Sequence, residues 1–199
     1  MAPPIAPSRA RNAAATRAAI LEAARKRFAR EGYDQTGLRD VAADAGVDAA
    51  LISRYFGGKD ELFAEVLACA PSISEFLDED RAGFGERMAR TLAVDPMDED
   101  KLDTFMIMLS SASSPKASEA IRRHSQRAFF TPLEDWLGGD DAPVRARILS
   151  CVMMGATMNR MIHHDYLLDE AGRTALCQEL ARTIDWYVNG YRRAGQGTA

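Results

Sequence analysis

Between Leu38 and Phe56 the chain carries two short helical patterns, LRDVAADA and AALISRYF, set around the turn Ala45-Gly46-Val47. Two short helices joined by a tight turn containing glycine leave few ways to pack, and the helix-turn-helix is the common one. Val41 and Ala42, with Val47, Ile52 and Phe56, supply the inward face. Ile20 and Phe28 of the preceding segment can cover it. Ala49, Ala50, Ser53 and Arg54 are left pointing outward. Small residues near the start of such a helix let its backbone approach base edges, and an arginine can bond guanine in a bidentate manner. Hydroxyl and ammonium groups near helix N-termini, here Thr36, Tyr55 and Lys59, suit phosphates.

Charge is distributed unevenly in a way that agrees with this. Through Lys59 there are ten Lys and Arg against six Asp and Glu, a net of +4, so the remainder carries −8 to reach the overall −4. A basic N-terminal third on an acidic body fits nucleic-acid contact by one end only. Solvated helix faces also carry charge, so the asymmetry supports the motif and does not replace it.

The rest reads as helix, with no alternating strand pattern. Helices are expected over 13–31, closed by Gly32, over 38–45 with Thr36 as N-cap, over 49–56 with Asp48 as N-cap, and from Lys59 to a stop at Pro71. Further helices are expected over 80–92, 101–112 and 115–136, the last kinked at Pro132. Two long ones come after them, over 143–164 and 169–192. The expected fold is all-α, with about nine helices. The opening residues 1–12, rich in Pro, Ala and Arg and without the apolar core of a signal peptide, are expected to be a disordered basic arm. No apolar run approaches the roughly 20 residues of a membrane span.

The stretch GYDQTGLRDVAADAGVDAALISRYFGGKDELFAEVL, Gly32 to Leu67, resembles the DNA-binding segment of the TetR (tetracycline-repressor-like) transcriptional regulators. That family reads glycine-aromatic, then threonine, an "xIAxxAGV" helix and turn, an aromatic-Phe pair, and a lysine opening the fourth helix. Gly37 stands where serine is frequent, Val41 where isoleucine is, and Asp48 where serine or asparagine usually caps. The resemblance implies a helix-turn-helix head over 13–58 and a helical ligand-binding and dimerisation body over 59–199. The DNA contacts are then expected from Thr36, Arg39, Ala49, Ala50, Ser53, Arg54, Tyr55 and Lys59. It further implies a homodimer on a palindromic double-stranded operator, a repressor released by a small effector, and a cytoplasmic location. A ligand that strengthens DNA binding is the variant of this scheme. The alternative is a helical ligand-binding or protein-interaction protein whose first module does not read DNA.

An effector cavity is expected between the FMIML, RRHSQRAFF and CVMMGATMNRM helices. Phe105, Met106, Leu109, Phe129, Trp136, Met154 and Met158 would form an apolar wall, with Arg127, Asn159 and His163 as orienting polar groups. Any one of these methionines could instead fill core. The apolar stripe of the last two helices makes Leu149, Val152, Ala156, Leu180, Ile184 and Tyr187 the candidates for a four-helix dimer seam. The pair His163-His164 has no partner at metal-ligand spacing, and no metal or other cofactor is expected. No catalytic motif is present, so no enzyme is expected. Cys69, Cys151 and Cys177, an odd count without ligand spacing, are expected as buried or free thiols.

Overall fold

Gly32 interrupts the first helix with a left-handed φ of +74°, a conformation that glycine adopts without steric cost. The computed structural model describes residues 9–77, 81–97 and 99–190, and every regular element among them is helical. In order these are α1 (Arg9–Gln35), α2 (Leu38–Asp44), α3 (Ala49–Phe56), α4 (Lys59–Ala68), α5 (Phe84–Ala93), α6 (Glu99–Ser111) and α7 (Pro115–Ser125). A π-helical segment (Gln126–Phe130) leads into α8 (Thr131–Leu137). Then come α9 (Ala142–His163) and α10 (Glu170–Asp185), which ends in a second π-helical segment (Trp186–Gly190). Residues 115–137 are helical without a gap, so nine helical rods are present among the described residues, as the periodicity predicts. The N-terminal arm lies outside the described residues as far as residue 8. Arg9 to Asn12 already belong to α1, four residues earlier than expected.

The chain divides into two compact units, one of residues 1–70 and 98–124, the other of 71–97 and 125–199. The expected boundary after Gly58 does not coincide with this division, because α4 and α6 complete the core beneath the first three helices. In that core Ile20, Phe28, Val41, Ile52, Leu62 and Phe63 are fully buried. Each such side chain contributes about 1.5–3 kcal/mol relative to exposure. The Phe63 ring meets Phe28 and Tyr33 edge-on at 5.0 and 5.1 Å. A Cβ on Gly32 would stand 2.6 Å from the Ser110 carbonyl oxygen of α6, so glycine permits both the turn and the approach. The Tyr33 N–H just past the break is accepted by Ser111 Oγ at 2.9 Å.

In the second unit, Phe84 and Met88 of α5, Leu133 and Leu137 of α8, Leu149 of α9 and Ile184 of α10 share a core. Two buried arginines brace it, and neither stands out in the sequence. Arg145 pairs with Asp141 at 3.0 Å and donates to the carbonyls of Leu137, Gly138, Tyr187 and Val188. Arg160 donates to Leu92 O at 3.3 Å and Val94 O at 3.5 Å, catching carbonyls at the end of α5. Pro132, the expected kink, lies inside the gapless helical stretch 115–137. It sits just after the π-helical segment, where Thr131 N–H bonds Gln126 O and the wider turn absorbs the proline.

Candidate nucleic-acid interface

The turn between α2 and α3 forms as the local chemistry dictates. Gly46 takes φ +66°, Val47 N–H reaches back to Ala42 O at 2.9 Å, and Asp48 Oδ1 accepts from Ala50 N at 2.7 Å. The Asp48 carboxylate thus caps α3. Asp44, at the end of α2, is held by Arg27 of α1. On α3, Ala50, Ser53 and Arg54 are exposed at i, i+3 and i+4, which places them on one outward face. Arg39 of α2 is exposed as well. Neither Arg39 nor Arg54 has an ion pair or hydrogen bond among the described residues.

Three other expected contacts, Thr36, Ala49 and Tyr55, are placed differently, and Lys59 also makes contacts within its own unit. Thr36 is 2% exposed and its hydroxyl donates to Gly32 O at 2.7 Å, so it is turned away from any phosphate. The N-cap of α2 is Gly37. Ala49 is half-buried against the core rather than outward, and Tyr55 is half-buried beside Phe56, with ring centroids 6.4 Å apart. Lys59 begins α4, yet its ammonium lies 4.5 Å over the Tyr33 ring and donates to Asp34 O at 3.3 Å. Burial draws that ammonium below the usual lysine range. Tyr33, which it covers, is pushed above the usual tyrosine range by burial and by its hydrogen bond to Asp60.

Residues 20–66 match the family described as bacterial regulatory proteins, tetR family, and residues 82–188 match the tetracyclin repressor-like C-terminal domain. The chain belongs to the TetR family. The HTH-type transcriptional repressor SCO4008 of Streptomyces coelicolor is 47% identical over 58 residues, 29% of this chain and 30% of that protein. The HTH-type transcriptional repressor Rv3405c of Mycobacterium tuberculosis is 48% identical over 50 residues, 25% of this chain and 27% of that one. The chain therefore matches less than a third of the length of these curated relatives. NalD, the secondary repressor of the MexAB-OprM multidrug efflux pump in Pseudomonas aeruginosa, shares the fold. Its TM-score is 0.65 at 22% identity, covering 86% of this chain and 96% of NalD.

For a TetR-family chain, the residues expected to line an effector cavity belong to both units. In the first unit Phe105 is buried, Met106 packs half-buried on the core, and Leu109 is exposed. In the second, Phe129 and Trp136 are half-buried, with Trp136 4.9 Å from the Phe84 ring. Met158 is half-buried, while Arg127, Met154, Asn159 and His163 are exposed.

Part of the expected dimer seam lies in the core of the second unit. Leu149 is 1% and Ile184 0% exposed, Ala156 is buried, and Val152, Leu180 and Tyr187 pack on the same core. They hold α9 and α10 within one protomer. The face of α9 left open carries Val144, Cys151, Met154, Gly155, Met158 and Ile162 instead.

None of the three cysteines is buried. Cys69 and Cys151 are free and exposed, and Cys177 is free and half-buried. Among the described residues no cluster of His, Cys, Asp and Glu is placed to hold a metal ion. No described helix is long and apolar enough to cross a membrane.

Proposed function

We propose that this TetR-family chain is a cytoplasmic, homodimeric, effector-responsive repressor that reads a palindromic operator with α3. The observation that carries the proposal is the outward face of α3. Ala50 and Ser53 leave room for close approach to base edges, and Arg54 projects a guanidinium with no partner among the described residues. An exposed cation left without a carboxylate costs nothing in water and is ready for guanine or phosphate. Neutral packing devices do not need it.

Dimerisation is supported by the open face of α9. Val144, Cys151, Gly155, Met158 and Ile162 recur at intervals of seven, four, three and four, the spacing of a helix seam. A Cβ on Gly155 would meet nothing within 4 Å in its own chain. Glycine inside a helix costs about 1 kcal/mol against alanine. With no intrachain reason for it, close approach of a second α9 is the reason we adopt. A two-fold dimer then matches a palindromic operator. The effector is a small, largely apolar molecule taken up by the second unit, where half-buried Phe129 and Phe130 offer apolar surface and Met153 an adaptable one.

The test is selection from a random duplex pool by the full chain, followed by binding measured against salt. An inverted repeat bound with a steeply salt-dependent affinity is expected. Recovery of no sequence, together with salt-independent or absent binding, would leave a helical ligand-binding protein whose first module does not read DNA.

A further inference from the structure

Cations in the first unit are almost all matched to carboxylates. From Arg17 to Arg30 every one on α1 has a partner, and on α7 Arg122 and Arg123 share Glu119. Lys101 has a partner of its own. Among the basic side chains of this unit that are described, Arg39, Arg54, Lys59 and Lys116 show no ion pair. Three of them lie at the helix-turn-helix and the start of α4. Lys116 belongs to α7, 60 residues after Phe56, where α3 ends.

Asp34 ties Lys116 to that surface. Its carboxylate accepts from Ser114 Oγ at 2.9 Å, just before the first turn of α7. Its carbonyl oxygen accepts from the Lys59 ammonium at 3.3 Å. Lys116 is exposed two residues beyond Ser114, so Asp34 anchors the turn that leads to Lys116 while also accepting from Lys59. We propose that Lys116 is a phosphate contact supplied by α7, extending the grip on DNA beyond the helix-turn-helix. The proposal rests on DNA binding by the helix-turn-helix face.

The electrostatics are consistent with this placement. The charge of Lys116 works with burial to disfavour protonation of Lys59, while Asp34 and Asp60 oppose it. Those two carboxylates already accept hydroxyls, Asp34 from Ser114 and Asp60 from Tyr33. Two neighbouring ammonium groups repel each other, and an anion brought between them removes that penalty. A lysine is a point charge without the fixed fork of arginine, which suits a phosphate and carries no base preference.

The experiment compares full-length wild type, Lys116→Gln, Lys116→Arg and Arg122→Gln on a mixed-sequence duplex of about 40 base pairs, starting near 50 mM salt. The plot of log affinity against log salt should become shallower by about 0.9 for each Lys116 removed from a phosphate. Lys116→Arg should restore the wild-type slope, and Arg122→Gln should leave it unchanged. Thermal melting of Lys116→Gln should match wild type, since the side chain is exposed. A wild-type slope in Lys116→Gln, or an equal loss in Arg122→Gln, would overturn the contact. Wild type that fails to bind the duplex at the lowest salt would remove the DNA-binding function itself, an outcome separate from a silent Lys116.

Discussion

Arg27 holds Asp44 by two parallel hydrogen bonds, Nε to Oδ2 at 2.7 Å and Nη2 to Oδ1 at 2.9 Å. The pair fastens the end of α2 to the side of α1, and so fixes where the turn into α3 begins. The bonded guanidinium keeps the Asp44 carboxyl below its ordinary value of 3.8. Glu31 is lowered too, by Arg30 first and by Arg27. A carboxylate depressed in the folded state contributes stability in full above its unfolded pKa, and that contribution fades as pH falls through the folded value. The melting gap between wild type and Asp44→Asn should therefore be constant above about pH 5 and close below about pH 4. A gap that stays constant to the lowest pH would show that charge at Asp44 is not what α1 holds.

Arg54 should read a base rather than hold a phosphate, because it leaves α3 beside the small Ala50 and Ser53. Arg54→Ala should cost about 1–3 kcal/mol on the selected operator and relax preference at one base pair per half-site. Binding to a panel of single-base operator variants checks this. Equal weakening across the whole panel would reassign Arg54 to the backbone.

Ser72 donates to Ala128 O at 2.9 Å, and Ala128 is the residue four before Pro132. Proline has no N–H to offer that carbonyl, so the serine hydroxyl takes its place. Ser72→Ala should cost about 1 kcal/mol or somewhat more in chemical denaturation. In a Pro132→Ala background, where a backbone N–H is again available, the same substitution should cost less. A double-mutant cycle with no coupling would mean that the serine acts only as the cap of the short turn at Ile73.

Sequence pattern is most informative where the signal is local. Gly46 and Asp48 announce the turn and the cap without reference to the rest of the chain, and both form as expected. The inward face of Val41, Ile52 and Phe56 is equally clear, because the outward positions beside it are small or polar. On α9 the same reasoning does not separate two apolar faces. Leu149 and Ala156 lie on one side and Met154 and Ile162 on the other, and periodicity does not say which apolar side meets its own chain. Arg160 and most of the grip of Arg145 are illegible for a different reason: apart from Asp141 beside Arg145, the described acceptors are backbone carbonyls, which every residue possesses. Lys59 has the sequence position of a phosphate ligand, and no local pattern announces that Tyr33, 26 residues earlier, lies beneath its ammonium.

The two faces of α9 give the sharpest prediction about assembly. Ile162 is 62% exposed and Trp186, where α10 ends, is 57% exposed, both large apolar groups left in water by a single protomer. From Val144 to Ile162 the open stripe runs about 27 Å at the helical rise of about 1.5 Å per residue, and Gly155 lies along it. If a second α9 crosses there, Gly155→Leu should separate the protomers by bulk, and Ile162→Asp by burying a charge without a partner. Both variants should sediment as monomers, melt with helical content intact, and lose affinity for the inverted repeat while retaining weak binding to a half-site. Leu149→Asp, which places a charge in the protomer's own core, should instead unfold the second unit. Dimers surviving in both Gly155→Leu and Ile162→Asp would show that the open face of α9 is not where the copies meet.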